Sequence, residues 1–204
     1  MPLEAQANPE QRAQLAAHLI AQMRASSCSP KPAGGRERFM LFAAPLVTAI
    51  LEGRKTVTRR LVSPAGVAVG ACPFGAPGDR LWVREKWGYQ DEFFDGRGRG
   101  GGRVVYATDG APTGATRLAW RPSLHMPRTA CRLELQVTSV RSEPLTALTP
   151  NDAAAEGCPL DRLDDPVSWF RETWDTFYAA RGAGWRDNPW VWVLSFRRAK
   201  VETL

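Results

Sequence analysis

A dense group of polar and charged side chains occupies residues 53–60, in the order Gly-Arg-Lys-Thr-Val-Thr-Arg-Arg. The β-branched residues after Lys55 predict an extended chain, in which Thr58 and Arg60 share one face. Lys55 lies in the turn before this strand, from which a lysine can reach back across the face of Thr58. This arrangement would form a cationic pocket wall with a hydroxyl in reach. The pattern also fits a surface strand with solvated basic residues, and both interpretations stay open.

Glu85 is a further candidate for the binding site, and it lies on a predicted strand whose side chains alternate between two faces. It shares one face of the predicted strand with Val83 and Trp87, so we expect it to point inward. An unpaired charge in the interior is costly. We therefore predict that Glu85 pairs with Lys55 or Arg60 beside a ligand.

Two tryptophans and a histidine lie near the same segments. Trp87 and Trp120 can stack on a base, a contact worth roughly 1–3 kcal/mol, although packing in the core explains them equally well. His125 lies in a loop bounded by prolines, where it fits either a contact to a substrate edge or a structural hydrogen bond. We predict a substrate-binding role for all three.

Proline and glycine mark the ends of the predicted helices. Pro45 fits the first turn of a helix that ends before Gly53. Thr149 is a favourable N-cap for a short helix that Gly157 can end. A third helix is predicted over residues 166–180, where apolar residues recur at helical spacing.

Five or six short strands are expected between and around these helices. The clearest are residues 131–140 and 190–196. Apolar and polar side chains alternate in the first range, and two largely apolar sets of side chains alternate in the second. Short strands mixed with short helices predict an α+β class, and we expect a small mixed β-barrel with flanking helices. A parallel βαβ sheet would need longer helices in more regular alternation.

The first 38 residues differ in composition from the rest of the chain. Residues 9–24 are rich in Ala and Gln with helical apolar spacing, and a Ser/Pro/Gly-rich stretch follows at 26–35. We predict a short helix on a flexible linker over residues 1–38, followed by one domain over residues 39–200.

Composition limits the class of protein. The net charge of +6 favours polyanionic partners. No run approaches 18 apolar residues, and no charged-then-apolar leader begins the chain, so we expect neither membrane insertion nor secretion. Four widely spaced cysteines and two histidines predict free thiols and no zinc site. We expect a cytoplasmic monomer without metal or cofactor.

Four segments in this order resemble the ASCH family of PUA-like domains. The first contains Gly53, Lys55 and Arg60 and resembles the G-x-K-x-x-x-x-R signature. Residues 77–85 are similar to the family's G-D-x-L-x-V strand, 145–157 to its "L-x-x-L-x-x-x-D/H-A-x-x-E-G" segment, and 190–196 to its closing strand. Residues 120–128 and 188–192 further resemble a subgroup carried by phages and prophages.

The resemblance implies a PUA-like barrel that faces RNA or a nucleoside, and roles for three residues. One branch of the family removes the acyl group from N4-acetylcytidine. By this resemblance, Lys55 is the proton acceptor, Thr58 the nucleophile and Glu156 the proton donor. The chemistry requires a lysine pKa lowered from about 10.4 towards roughly 7–8, to which Arg59 and Arg60 can contribute. Glu156 ends a helix, where the dipole favours its neutral form.

Three functions are compatible with these residues. The first is an amidohydrolase that acts on a modified pyrimidine nucleoside. The second is a module that binds RNA or a modified base without chemistry, and the third is a ribonuclease with a basic cleft. A polyanion binder loses affinity steeply as salt rises, whereas a nucleoside hydrolase responds little.

Overall fold

The structure, a computed structural model, describes residues 35–62, 71–91, 102–110 and 118–199. The predicted helix at 9–24 and most of the predicted linker lie outside the described residues and stay predictions. The first strand begins at Glu37, two residues before the predicted start of the domain. No helix in the described part of the chain is long and apolar enough to cross a membrane.

The described residues form eight strands and three α-helices, which confirms the predicted α+β class. The strands are β1 (Glu37–Leu41), β2 (Val57–Leu61), β3 (Arg80–Arg84), β4 (Trp87–Asp91), β5 (Gly102–Tyr106), β6 (Leu118–Arg121), β7 (Glu134–Pro144) and β8 (Trp190–Arg198). The helices are α1 (Ala44–Leu51), α2 (Pro150–Ala155) and α3 (Pro166–Tyr178). Short 3-10 turns connect several of these elements.

Five strands form one sheet in the order β1-β3-β7-β8-β2. Strands β1 and β3 are parallel, and the other neighbouring pairs are antiparallel. The long strands β7 and β8 pair along most of their length, with a bulge between Val137 and Ser139. Strand β2, which carries Thr58, therefore lies at an edge of the sheet with β8 as its neighbour.

The other three strands form a separate antiparallel sheet in the order β5-β4-β6. The chain passes from the larger sheet to the smaller one between β3 and β4, and β4 pairs only with β5 and β6 among the described strands. Within the described ranges both sheets are open, with β1 and β2 at opposite edges of the larger one. The closed barrel expected from the sequence is thus not seen there and stays a prediction.

Helices pack on both faces of the five-stranded sheet. On β8, Trp192, Leu194 and Phe196 belong to the core that includes α1, whereas Val191 and Val193 belong to the core that includes α2 and α3. This alternation follows the pattern predicted for residues 190–196, since successive side chains of a strand point to opposite faces. Side chains on the adjacent strand β2 can therefore reach either helical layer.

The helix ends follow the predicted signals. Pro45 lies in the first turn of α1, and Gly53, with φ of +80°, follows its end. At the start of α2, the Thr149 hydroxyl accepts a hydrogen bond from the backbone N–H of Asp152 at 3.1 Å. Glu156 is the C-cap of α2, so the end of this short helix determines where the Glu156 side chain lies.

Candidate active site

Lys55 lies in the connection between α1 and β2. Its backbone N–H donates to the carbonyl oxygen of Ala49 at 3.0 Å, and the N–H of Thr56 donates to that of Ala155 at 2.9 Å. Lys55 and Glu156 also form an isolated antiparallel bridge. The connection is therefore held between α1 and α2, and it brings together two residues that are 101 positions apart in the chain.

Gly157 allows this close approach. Its φ is +98°, a conformation that other residues rarely adopt. A Cβ atom added at this position would lie 2.9 Å from the Cβ of Ala49 and 3.1 Å from the Cβ of Lys55. Both the backbone conformation and the lack of space therefore require glycine directly after Glu156.

The Lys55 ammonium is buried, with only 2 % of the residue exposed. Its Nζ donates to the Oε2 of Glu156 at 2.6 Å, to the backbone oxygen of Glu156 at 2.7 Å and to that of Val57 at 2.8 Å. An ammonium has three hydrogens, so each has an acceptor. Burial is the main cause that lowers the pKa of Lys55; the Glu156 carboxylate opposes it, and Arg60 and Arg59 lower it further.

Arg59 is the second buried cation of the site, with a side chain that is 0 % exposed. Its guanidinium donates to Glu156 at 3.3 Å, to Glu143 at 2.7 Å and to Asp152 at 2.9 Å. Although burial works against the charge, Glu156, Glu143 and Asp152 raise the pKa of Arg59. The guanidinium therefore stays charged and holds three carboxylates together. Arg141 contacts Glu143 and Asp152 from the more exposed side.

A cavity of about 290 Å³ lies beside this cluster. Lys55, Thr58 and Glu156 all line it, and Thr58 is 3 % exposed. Much of the remaining lining is aromatic and comes from α3: Trp169, Phe170, Trp174, Phe177 and Tyr178. The structure thus places the three predicted catalytic residues on one cavity whose lining also includes aromatic side chains of α3.

Arg60 lines the same cavity near the end of β1. Its guanidinium carbon lies 5.1 Å from the ring centre of Phe42, and its Nη2 donates to the backbone oxygen of Leu41 at 2.8 Å. The Lys55 Nζ lies 5.8 Å from the same ring. Among the described residues Arg60 has no carboxylate within salt-bridge distance. It is therefore a cation available to a ligand in this cavity.

Glu85 has other partners than those predicted. It is buried at 1 % exposure, but its carboxylate accepts from Arg132 at 2.9 and 3.0 Å and from the Thr108 hydroxyl at 2.7 Å. The predicted pairing with Lys55 or Arg60 is therefore wrong. The physical reason is that β4 enters the second sheet directly after Glu85, so its carboxylate faces the start of β7 and the turn after β5.

Trp87, Trp120 and His125 lie outside the set of residues that line the cavity. Trp87 is 2 % exposed and packs with Met126 and Ala130 in a small core. Trp120 is half-buried on β6, and His125 is exposed in a 3-10 turn. The three substrate-binding roles stay predictions, and the buried position of Trp87 favours a packing role.

Several residues of the cavity have roles that no local pattern in the sequence indicates. In the sequence Arg59 is one more basic residue of a strand, and the three carboxylates around it come from β7 and from the short α2 segment. Phe170 and Trp174 formed part of a predicted apolar stripe, which is correct, yet the same face also lines the cavity. Apolar residues at helical spacing predict that a helix face is buried, but they do not indicate that the same face contacts a ligand.

The Lys55–Glu156 pair can exist in two forms that hold the same number of protons. In the first, an ammonium faces a carboxylate across the 2.6 Å hydrogen bond. When the proton moves along this bond, Lys55 becomes a neutral amine and Glu156 a neutral acid. The second form places a base and an acid side by side; burial favours the neutral amine of Lys55, and the contact with the Glu156 carboxylate opposes it.

The fold and the site define a mixed α+β domain with a buried lysine–glutamate pair in an aromatic-walled cavity. No protein-family model matches the chain, and no curated protein matches it. Among solved structures, the chain is similar to an ASCH domain from Lactobacillus crispatus JV V101. The identity is 14 %, over 97 % of this chain and 98 % of that one, with a TM-score of 0.45.

The chain is also similar to the protein EF3133 from Enterococcus faecalis V583. The identity is 13 %, over 91 % of each chain, with a TM-score of 0.41.

Proposed function

We propose that this chain is a metal-independent amidohydrolase that removes the acyl group from a modified pyrimidine nucleoside such as N4-acetylcytidine. The observation that carries the proposal is one cavity lined by the buried Lys55–Glu156 pair and by Thr58. These three positions also resemble the catalytic positions of ASCH-type hydrolases. Side chains alone supply a base, an acid and a nucleophile, so the reaction needs no metal-bound water.

The size and lining of the cavity support a single nucleoside as the ligand. Its volume of about 290 Å³ lies at the small end of ligand sites, which span roughly 300–1,000 Å³. Aromatic side chains of α3 offer ring faces for a planar base. Arg60 offers hydrogen-bond donors to a base carbonyl. Several nucleotides would not fit inside.

The first half of the reaction transfers the acyl group to the enzyme. Neutral Lys55 takes the proton of the Thr58 hydroxyl, and the Thr58 oxygen attacks the acyl carbon. The bond from this carbon to the exocyclic nitrogen then breaks, and Glu156 gives its proton to the leaving amine. Cytidine departs, which leaves acylated Thr58, the Lys55 ammonium and the Glu156 carboxylate.

The second half restores the enzyme. A water molecule attacks the acyl carbon and gives a proton to Glu156. The bond to the Thr58 oxygen breaks, and Lys55 returns a proton to that oxygen. The products are a free carboxylic acid and the starting form of the pair, with neutral Lys55 and protonated Glu156. Arg59 contacts the other oxygen of Glu156 and so holds its carboxyl group in place in both halves.

A second candidate function is binding of RNA or a modified base without chemistry. One observation favours it: all three hydrogens of the Lys55 ammonium already have acceptors, as in a purely structural lysine. Catalysis requires neutral Lys55 to exchange one of these acceptors for the Thr58 hydroxyl when the substrate binds.

The test is hydrolysis of N4-acetylcytidine by the purified protein, followed by liquid chromatography. Thr58→Val removes the hydroxyl at nearly constant shape, and Thr58→Ser keeps the hydroxyl as the matched control. Loss of a hydroxyl nucleophile reduces kcat by up to about six orders of magnitude, so we expect no turnover for Thr58→Val and measurable turnover for Thr58→Ser. Glu156→Gln should also be inactive.

Two outcomes contradict the proposal. Equal turnover in the wild type and in Thr58→Val would exclude Thr58 as the nucleophile. A folded wild-type protein that binds N4-acyl cytidines without turning any of them over would establish the second candidate. Urea unfolding of each variant separates loss of chemistry from loss of folding.

A further inference from the structure

An exposed patch of aromatic and arginine side chains lies on the β1–β3 edge of the large sheet. Phe39 is 48 % exposed, and its ring centre lies 5.8 Å from that of the half-buried Trp82 in an edge-to-face arrangement. The Arg84 guanidinium carbon lies 3.9 Å from the Phe39 ring centre and 4.5 Å from that of Trp82. We call these three residues the arginine–aromatic patch.

The patch is continuous with the mouth of the cavity. Phe39 and Leu41 lie on the same exposed face of β1, two residues apart, and Leu41 lines the cavity. Arg84 faces Leu41 in the register of the two strands, and its Nη1 donates to the backbone oxygen of Leu124 at 2.8 Å. Ser123, which precedes Leu124, also lines the cavity. A ligand chain that leaves the cavity past Leu41 therefore meets the patch.

The charge of the patch suits a phosphate-bearing ligand. Arg84 is held by two rings and one carbonyl, and within the described ranges it has no carboxylate at salt-bridge distance. The same holds for Arg60 at the cavity. Two arginines that have no carboxylate partner among the described residues thus flank the path from the cavity to Phe39. Exposed rings beside such cations are the elements with which proteins bind single-stranded nucleic acids.

We propose that the arginine–aromatic patch binds the nucleotide next to the target base in a single strand, so that the preferred substrate is a modified base within an oligonucleotide. This inference rests on the proposed function of the cavity. The target nucleoside occupies the cavity, its phosphate passes Arg60 and Arg84, and the neighbouring base stacks on Phe39. The patch adds affinity for a strand and none for a free nucleoside.

Binding is tested first, since it needs no turnover. A fluorescein-labelled, unmodified single-stranded RNA of about ten nucleotides is titrated with protein at low salt, and anisotropy is read. Phe39→Ala removes the exposed ring, and Arg84→Gln removes the cation. Leu160→Ala is the control, because it removes an exposed hydrophobic side chain (72 % exposed) from a 3-10 turn that is not part of the patch. Single-stranded DNA of the same sequence distinguishes RNA from DNA as the strand.

We expect Phe39→Ala to weaken the complex by roughly 5- to 150-fold, the loss expected for one stacked base, while Leu160→Ala leaves it unchanged. Arg84→Gln should weaken binding and reduce the slope of log affinity against log salt by about one. Hydrolysis of the free nucleoside should be the same in Phe39→Ala as in the wild type, whereas hydrolysis of the same base in an oligonucleotide should fall.

The failures of the two proposals are distinguishable. If the wild type does not turn over any acylated cytidine but Phe39→Ala still loses strand binding, the amidohydrolase assignment fails and the patch stands. If strand binding is equal in wild type and Phe39→Ala, or absent in the wild type, the patch assignment is wrong whatever the hydrolysis assay shows. A wild-type dimer that dissociates in Phe39→Ala, measured by light scattering, would overturn it in favour of contact between two copies.

Discussion

Substitution of Gly157 tests the packing that brings Lys55 and Glu156 together. In Gly157→Ala, the new Cβ would lie 2.9 Å from the Cβ of Ala49 and 3.1 Å from that of Lys55. Neither neighbouring atom can rotate away, because a Cβ is fixed to its backbone. The residue would also have to keep a φ of +98°. The end of α2 must therefore move away from α1 or accept strain.

The expected loss of stability in Gly157→Ala has two contributions. A positive φ costs a residue with a Cβ roughly 1–2 kcal/mol. Overpacking of a filled interior adds about 1–3 kcal/mol. Gly53→Ala carries the first cost alone, because its φ is +80° and nothing lies within 4 Å of a Cβ built there. Gly157→Ala should therefore be the less stable variant by about 1–3 kcal/mol.

Urea unfolding followed by tryptophan fluorescence measures the difference. With an m value of about 2 kcal/mol/M, the midpoint of Gly157→Ala should lie about 0.5–1.5 M below that of Gly53→Ala. Activity per folded molecule should fall only in Gly157→Ala, since only there does Glu156 move relative to Lys55. Coincident midpoints for the two variants would refute the inferred tight contact between α1, Lys55 and α2.

Three further perturbations follow from the contacts of the charged residues. Arg59→Met leaves buried carboxylates without their cation, and we expect the free energy of unfolding to fall by about 3–5 kcal/mol; a fall below 1 kcal/mol in urea unfolding would show that the network contributes little. The reaction needs the one proton that Lys55 and Glu156 share, so kcat/KM should fall when this proton is lost at high pH; because burial and Arg60 lower the pKa of Lys55, the fall should lie below about pH 10.4. Arg60→Gln removes a positive charge, raises the pKa of Lys55 and should move this fall to higher pH; a shift to lower pH would contradict the assignment of the Lys55–Glu156 pair as base and acid. Glu85→Gln should lower the free energy of unfolding by about 2 kcal/mol, because it weakens the contacts with Arg132, and it should leave kcat/KM unchanged. Loss of activity without loss of stability would instead show that Glu85 acts in the active site.

Local signals in the sequence predicted most of the elements. Pro45 with Gly53, and Thr149 with Gly157, mark the limits of α1 and α2 within a residue or two. The alternation over residues 190–196 predicted β8 and the two faces it presents. These predictions succeed because caps, turns and strand periodicity depend on residues that are close together in the chain. The motif resemblance also singled out Lys55, Thr58 and Glu156, which the fold brings to one cavity.

Contacts between distant segments were decided only by the tertiary structure. In the described residues the strands form two open sheets, and the small mixed β-barrel expected from the sequence stays a prediction, because strand pairing depends on which distant segments meet. Glu85 was correctly predicted to point inward, but its partner is Arg132, 47 positions away.

Arg59 is the clearest case of a role that the sequence did not show. In the sequence it is one of several basic residues on a strand, yet its side chain is fully buried among Glu143, Asp152 and Glu156. The sequence by itself determined the local elements and the candidate catalytic residues. The burial of the charges, and therefore the lowered pKa of Lys55 and the partners of each carboxylate, came from the packing of α1, α2 and α3 around β2. A charge is shifted by everything that surrounds it in space, and most of those neighbours are far away in the chain.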